Sequence, residues 1–229
     1  MRLLLRVLVQ LSARHAVSNM NYLSIKETSQ AYVDRYDEEL VKVMPAFTRI
    51  VEGKINTALK TGEQSVRGQI WLERDQEYYG LPSDWGGFRD VEIIQDGQKV
   101  GRTLTYLSPE EMNKLSRRVE TRKRHNYYTV IANQIQVAPP TDNEVLEVVY
   151  YQRLPALVED TDSNWLTEKN PDAYVFGLCA EMAAFAKDEA SFQVYDARFK
   201  EALGQITQDD QITRWSGPAL MTQVEGMVV

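Results

Sequence analysis

Few residues of this sequence have the types and spacing that catalysis requires. Asp84, Asp90 and Glu92 lie near one another along the chain, and a pair of carboxylates is the machinery of glycoside hydrolysis. The chain holds 33 acidic residues in 229, so neighbouring carboxylates arise readily by chance. The sequence contains no phosphate-binding glycine loop, nucleophile elbow or His-Glu-x-x-His metal motif. We therefore predict that the chain is not an enzyme and uses no cofactor or metal.

The single cysteine and the two histidines limit thiol and metal chemistry further. Cys179 follows Leu178 in an apolar helical pattern, which predicts a buried structural thiol rather than a nucleophile. An internal disulfide needs two cysteines, and a structural zinc site of cysteine and histidine needs four ligands, so both are excluded. His15 and His125 are the available histidine bases, and His125 ends a basic run.

This basic run is the strongest local charge feature of the sequence. It begins at Lys114 and is followed by the aromatic pair Tyr127-Tyr128. Three interpretations stay open: nucleic-acid binding by phosphate contact and base stacking, pairing with an acidic partner, and a solvated helix end favoured by the helix dipole. The cations of the run are Lys114, Arg117, Arg118, Arg122, Lys123 and Arg124, against the lone acidic residue Glu120.

Composition and charge are those of an ordinary globular protein. Hydrophobic residues make up 43% and charged residues 26%, and a chain of 229 residues can bury a core without disulfides or metals. With 26 basic and 33 acidic residues, the formal net charge is −7. The chain is therefore a poor candidate for a general coat for nucleic acid, because phosphate binding favours net positive charge.

The apolar and basic start of the chain matches a signal peptide poorly, which makes that the least favoured interpretation, and it does not match a membrane span. Arg6 interrupts the apolar run, and no small-residue cleavage site follows it. The run is also too short to cross a membrane. We interpret residues 1–21 as a flexible or partner-docked arm, or as an extension upstream of a start at Met20, and we expect a soluble protein with no membrane partner.

Two helical segments enclose a β-rich middle, which predicts an α+β fold. Apolar spacing predicts one or two helices within 22–64, with a capping box at Ser24 and Glu27 and a break or restart at Pro45. Residues 159–207 complete the helical bundle with predicted helices over 172–187 and 190–207. The pattern fades over 208–229, which we expect to form an extended tail. Its candidate interface anchors are Trp215, Leu220 and Met221.

The middle segment, residues 65–158, predicts an inserted antiparallel sheet or sandwich. Asp96-Gly97 predicts a tight hairpin turn, because glycine tolerates a positive φ. Ser108-Pro109 predicts the start of a helix that runs to Val119. Strands are predicted over 69–72, 88–94, 100–106, 127–132, 134–138 and 145–152, and a strand-to-loop transition over 78–82.

A series of short motifs, in a fixed order, gives the sequence a family resemblance. Each motif is weak by itself, and the order and spacing carry the resemblance. The series resembles the adaptor, or head-to-tail connector, proteins of tailed bacteriophages, especially short-tailed ones, over roughly residues 22–207. The motifs are Leu81-Pro-Ser-Asp-Trp85, Leu107-Ser-Pro109, Tyr127-Tyr128, Ile135-Gln-Val-Ala-Pro139, Val149-Tyr-Tyr151, Leu154-Pro-Ala-Leu157, Asn164-Trp-Leu166 and Pro171-Asp172, followed by Tyr174, Gly177, Glu181, Tyr195, Phe199, Ala202 and Leu203.

The resemblance implies a structural role and a set of partners. Such adaptors form a ring, commonly of twelve copies, beneath the portal protein, and offer a platform to the next tail or nozzle protein. DNA passes through the channel of the ring without sequence-specific binding. The resemblance also implies a virion protein at the head–tail junction, assembled in the host cytoplasm, that docks onto the portal through a terminal segment, here 208–229. The alternative is a DNA- or carbohydrate-binding module built on the β region.

Overall fold

The computed structural model describes residues 20–73, 76–95, 98–116, 127–138 and 144–214. These residues form two compact units. The helical unit comprises residues 20–62 and 155–214, and the β unit comprises Glu63–Leu154. The chain is thus an α+β protein, as its sequence predicts, with the strands between two helical segments.

The first helix, α1 (Tyr22–Val33), is capped by Asn21. The side-chain oxygen of Asn21 accepts hydrogen bonds from the backbone N–H and the hydroxyl of Ser24, at 2.9 and 2.8 Å. The capping box predicted at Ser24 and Glu27 is therefore wrong, because Ser24 lies inside the helix. Residues 20 and 21 belong to the described fold, whereas residues 1–19 lie outside the described residues.

The second helix, α2 (Glu38–Ala58), passes through Pro45, so the predicted break there is wrong. Proline has no N–H to donate to the carbonyl of Val41. Val41 lies on the solvent side of the helix, where it is 53% exposed, and water can take the place of the missing donor. The chain turns earlier, between the two helices, where Asp34 adopts a left-handed conformation with a φ of 53°.

The first sheet of the β unit has four antiparallel strands in the order β1-β8-β3-β4. Strands β3 and β4 pair as far as Gln95 and Gln98, so the connection falls at the predicted Asp96-Gly97 turn. The strands are β1 (Ser65–Leu72), β3 (Trp85–Gln95), β4 (Gln98–Thr103) and β8 (Glu144–Gln152).

The second sheet has the order β2-β7-β6-β5. Its strands are β2 (Tyr78–Gly80), β5 (Thr105–Tyr106), β6 (Tyr127–Ile131) and β7 (Gln134–Ala138). The chain changes sheets at the buried Leu104, so the single strand predicted over 100–106 is divided between the two sheets. The short β5–β6 pair is parallel and departs from the antiparallel prediction.

The β unit also contains a helix, α3 (Pro109–Ser116). It begins at the predicted residue, where Ser108 and Glu111 cap it through reciprocal hydrogen bonds.

The two sheets share one apolar core, which makes the β unit a sandwich. Alternate residues of the strands supply the core because successive side chains of a strand point to opposite faces. The buried residues are Leu72, Tyr79, Leu81, Val91, Ile93, Leu104, Ile135, Val137, Leu146, Val148 and Tyr150.

Three helices complete the helical unit: α4 (Trp165–Lys169), α5 (Pro171–Phe185) and α6 (Glu189–Arg214). Asn164 caps α4 by accepting hydrogen bonds from the N–H groups of Leu166 and Thr167, both at 3.1 Å. Its amide nitrogen donates to the carbonyl of Pro155 at 3.1 Å and to the hydroxyl of Tyr174 at 3.0 Å. One buried side chain therefore joins the incoming loop, α4 and α5.

Helix α5 lies at the centre of the helical unit and is buried on several faces rather than on one stripe. Phe185, which the sequence pattern assigns to a buried stripe, is 43% exposed at the end of the helix. Gly177 is the point of closest approach, since a Cβ there would lie 2.7 Å from Cγ1 of Val51 on α2 and 3.2 Å from Cε2 of Phe199 on α6. Close helix packing therefore depends on this glycine.

A carboxylate is buried in the same unit. Glu52 of α2 is 7% exposed, and its Oε1 accepts a hydrogen bond from the backbone N–H of Leu157 at 2.8 Å. Burial raises the pKa of the Glu52 carboxyl above its ordinary value, while hydrogen bonds from Leu157 and Tyr174 oppose the rise. The folded state therefore holds the proton of Glu52 more tightly than the unfolded state does.

This raised pKa predicts a pH-dependent contribution to stability. The contribution of Glu52 is full below its unfolded-state pKa and is lost as the pH rises through the folded-state pKa. We expect Glu52→Gln, which keeps the acceptor for Leu157, to gain stability relative to the wild type as the pH rises from about 4 to 8. Urea unfolding across this range measures the difference, with Glu39→Gln, an exposed residue of the same helix, as the control. A difference between Glu52→Gln and wild type that stays constant with pH would contradict the assignment.

Candidate assembly site

The last turn of α6 is hydrogen-bonded to the residues that follow α2. Asp210 accepts a hydrogen bond from the backbone N–H of Gly62 at 2.5 Å and pairs with Arg214 at 2.8 Å. Arg214 donates to the carbonyl of Lys60 at 3.3 Å. We call these four residues the C-terminal clamp. Because α6 continues to Arg214, the prediction that the chain is extended from residue 208 is wrong for 208–214.

The chain beyond the clamp holds the predicted interface anchors. Trp215, Leu220 and Met221 lie outside the described residues. The clamp holds the last turn of α6 through both a charged pair and backbone partners, and so fixes the residue from which the C-terminal segment leaves. The sequence pattern misses this function of Asp210 and Arg214, although their four-residue spacing is typical of an ion pair on a helix.

A surface hollow of about 320 Å³ lies beside α1 and α6. The Tyr195 hydroxyl donates to the carbonyl of Tyr32 at 3.0 Å, and the Arg198 guanidinium lies 5.3 Å from the ring centre of Phe176. Tyr32 and Val194 are half exposed, at 50% and 52%. Tyrosine and arginine are the residue types that interface hot spots favour. The lining residues of this α1–α6 hollow are Tyr32, Ala190, Ser191, Val194, Tyr195 and Arg198.

Sequence reasoning does not find this hollow. The apolar spacing assigns Tyr195 to the packing stripe of its helix and gives Arg198 no function. The available signal is weak: Val194 and Arg198 are four residues apart, which places both on one helix face beside that stripe. The half-exposed Tyr32 comes from a different helix, and its proximity follows from packing alone.

The basic run is largely beyond the described part of the chain. Lys114 lies in the last turn of α3 and is exposed, where its charge favours the helix dipole. Arg117, Arg118, Arg122, Lys123 and Arg124 lie outside the described residues. The three interpretations of the run therefore stay predictions.

The candidate carboxylates have structural partners in the β unit. Asp84 accepts hydrogen bonds from the Tyr150 hydroxyl at 3.4 Å and from Nε2 of Gln152 at 2.6 Å. Asp90 accepts one from the backbone N–H of Val91 at 2.9 Å, and Glu92 accepts one from the Thr103 hydroxyl at 3.4 Å. These contacts hold neighbouring strands and the turn before β3.

The cysteine is a structural thiol, as its position in an apolar helix predicts. Cys179 is fully buried in α5, and burial raises the pKa of its thiol to about 12. Among residues 20–73, 76–95, 98–116, 127–138 and 144–214, no group of three or more histidine, cysteine or carboxylate side chains is placed to hold a metal ion. Within the same ranges, none of the helices has the length and apolar character that membrane crossing requires.

Comparison with known protein families identifies the family to which the chain belongs. The family model of the SU10 adaptor protein matches residues 20–222. The chain belongs to the SU10 adaptor protein family. The predicted resemblance to phage head-to-tail adaptors is thereby confirmed. A search of curated proteins found no match.

Membership in this family gives the surfaces a structural context. An adaptor is a structural component of the phage particle and interacts with other phage structural proteins. The match begins at residue 20, immediately before the cap of α1, and continues past the C-terminal clamp. The SU10-type adaptor therefore uses its surface for contacts with other phage structural proteins.

Proposed function

We propose that this adaptor forms a ring between the portal and the tail, at the head–tail junction of the virion. The ring extends the DNA channel and offers a platform to the tail or nozzle protein, after assembly in the host cytoplasm. The observation that carries the proposal is the family match over residues 20–222. The net charge of −7 supports it, since a channel without net positive charge lets DNA slide rather than bind.

We infer that the ring has twelve copies and is closed by head-to-tail contacts between them. Such contacts require two different, complementary surfaces on each copy. Charge supports one pairing between these surfaces. Residues 155–214 hold twelve acidic and five basic side chains, whereas the basic run from Lys114 to Arg124 holds six cations and one carboxylate. The basic run of one copy would then face the acidic helical unit of the next.

The C-terminal segment is the proposed portal-docking element. Trp215, Leu220 and Met221 are of the aromatic and flexible apolar types that serve as interface anchors. The clamp supports this proposal because it fixes the point from which the segment leaves the helical unit. The docking segment is accordingly shortened from the predicted 208–229 to residues 215–229, since 208–214 complete α6.

Deletion of residues 215–229 is expected to abolish capture of the adaptor by immobilised portal protein and to leave the fold intact. The reason is that the deletion removes the three anchors and keeps Asp210 and Arg214 in the clamp. Capture is measured by surface plasmon resonance, and the fold by circular dichroism and thermal unfolding.

Two comparisons sharpen this experiment. The longer deletion of 208–229 also removes the clamp and is expected to lower the melting temperature, which separates docking from folding. Serine substitutions at Trp215, Leu220 and Met221 in the full-length chain are expected to reproduce the loss of capture. Undiminished capture of the shorter deletion variant would exclude the C-terminal segment as the docking element.

A second candidate function is favoured by exposed rings on the β unit. Trp71, Tyr78 and Tyr106 are 64%, 43% and 54% exposed, and exposed rings of this kind stack on bases or sugars. Retention of the isolated protein on DNA or glycan columns distinguishes this binding module from the ring adaptor. Salt-dependent DNA retention by the monomer, without capture by the portal, would favour the module.

A further inference from the structure

The outer face of the first sheet carries an apolar row in which Trp71 is exposed, Ile94 is partly buried and Val145 is buried. Trp71 of β1 lies directly opposite Val145 of β8, which lies opposite Ile94 of β3. These residues alternate with Leu72, Leu146 and Ile93, which enter the core, so they lie on the opposite face of the sheet. Trp71 is 64% exposed. The exposed ring of Trp71 gives this edge of the sheet an anchor for an apolar partner.

Two carboxylates lie beside this row on the same face. Glu92 of β3 is directly opposite Glu147 of β8, an arrangement that destabilises a sheet unless cations offset it. Arg67 of β1 pairs with Glu147 at 3.4 Å, but its own side chain is 71% exposed. Glu92 accepts only a long hydrogen bond, 3.4 Å, from the Thr103 hydroxyl among the contacts described. The described side chains of this face therefore combine the exposed ring of Trp71 with two carboxylates, of which Glu147 has an ion-pair partner and Glu92 has a long hydrogen bond.

One segment of this chain has the complementary chemistry. Residues 1–19 contain Arg2, Arg6 and Arg14 and no acidic residue, since the first acidic residue of the chain is Glu27. Leucine and valine make up most of the rest up to Leu11. Nineteen residues span up to about 65 Å when extended, more than the length of an eight-residue strand, so the segment can cross the whole sheet.

We propose that residues 1–19 of one copy bind the outer face of the first sheet of a neighbouring copy, with apolar residues on Trp71 and arginines at Glu92 and Glu147. This proposal rests on the ring proposed above. The arm and the sheet face are two different surfaces that complement each other, as a head-to-tail ring requires. Binding in trans also covers the sheet edge that β1 leaves open.

The two kinds of contact predict different effects on affinity. Removal of the tryptophan anchor, in Trp71→Ser, is expected to weaken arm binding about tenfold or more. The double variant Glu92→Gln/Glu147→Gln is expected to weaken it by about threefold to tenfold and to reduce its salt dependence. Tyr78→Ser, on the second sheet, and Glu27→Gln/Glu110→Gln, at exposed positions elsewhere, are the matched controls.

Two variants that complement each other test the proposal without the portal. One lacks residues 1–19 and keeps the sheet face. The other keeps the arm and carries Trp71→Ser with Glu92→Gln and Glu147→Gln. We expect neither variant to show arm binding with itself and the arm of the second variant to bind the first, measured by fluorescence anisotropy of a label at residue 1. A fluorescein-labelled peptide of residues 1–19 should bind the first variant and displace the second, and a scrambled peptide should not.

The outcomes separate this proposal from the ring itself. Failure of both the peptide and the second variant to bind the arm-deleted protein would overturn the proposal. Arm binding that remains intramolecular at all concentrations would also overturn it. Portal capture, which depends on residues 215–229, is measured independently, so a ring closed by other contacts remains detectable when arm binding fails. Circular dichroism of each variant verifies that the sheet is folded.

Discussion

Asn164→Ala is expected to lower the free energy of unfolding of the adaptor by about 2 to 4 kcal/mol. The substitution removes the cap of α4, which contributes about 1 kcal/mol in typical proteins. It also removes the donors to the Pro155 carbonyl and the Tyr174 hydroxyl, and a buried polar group left without a partner costs about 1 to 3 kcal/mol. The Tyr174 hydroxyl keeps Glu52 as a partner, so most of this cost falls on the Pro155 carbonyl. Urea unfolding followed by circular dichroism measures the loss.

A neighbouring asparagine provides the control for this prediction. Asn170 precedes α5 but makes no capping hydrogen bond with its side chain, so Asn170→Ala should change stability by less than about 0.5 kcal/mol. Asn164→Ser keeps an oxygen at the cap position and should retain part of the stability. Equal effects of alanine at 164 and 170 would show that the Asn164 network does not hold the loop, α4 and α5 together.

Gly177→Ala is expected to destabilise the helical unit by about 1 to 3 kcal/mol, although alanine favours helices over glycine by about 1 kcal/mol. The added Cβ would lie 2.7 Å from Cγ1 of Val51, which is fully buried and has a stiff, branched side chain. Phe199 approaches from the other side at 3.2 Å. Helices α2, α5 and α6 would therefore have to separate locally. Thermal and urea unfolding measure the effect.

Two further variants test whether steric contact is the cause. Gly204→Ala in α6 has no atom within 4 Å of the new Cβ, so helix propensity should act alone and stabilise the protein. Val51→Ala should rescue Gly177→Ala, so that the double variant loses less than the sum of the single losses. Destabilisation by alanine at 204, or strict additivity of the pair, would contradict close packing at Gly177.

The strands were predictable where local signals agree with one another. Gln134–Ala138 is a strand with the predicted ends, because Asn133 and the proline pair that begins at Pro139 bound an apolar run. The hairpin of β3 and β4 follows from Asp96-Gly97 in the same way. The division of residues 100–106 between two sheets is different, because the burial of Leu104 depends on contacts distant in sequence.

The helix ends were less predictable, since each depends on tertiary partners. Pro45 is compatible with α2 because the exposed side of the helix tolerates a missing donor. The extension of α6 to Arg214 depends on Lys60 and Gly62, which lie about 150 residues away in sequence. The five-residue α4 is too short to have an apolar period, and its capping residue Asn164 is the one local signal that marks it.

The candidate site shows the same division between local and tertiary signals. The resemblance found in the sequence is confirmed by the family match. Lys114 lies exposed on α3, which fits all three interpretations of the basic run, and the other predicted interface residues fall outside the described residues. The clamp and the α1–α6 hollow unite helices distant in sequence, so residue patterns alone do not reveal them.

The mass of the complex that the adaptor forms with its portal protein is the most direct test of the proposed ring. Size exclusion with light scattering measures this mass, with each protein alone as the reference. We expect a single stoichiometric complex in which the portal ring carries a full ring of adaptor chains of 26.3 kDa, twelve for a twelvefold portal. A folded adaptor that elutes separately from the portal at every ionic strength would contradict the ring-adaptor function.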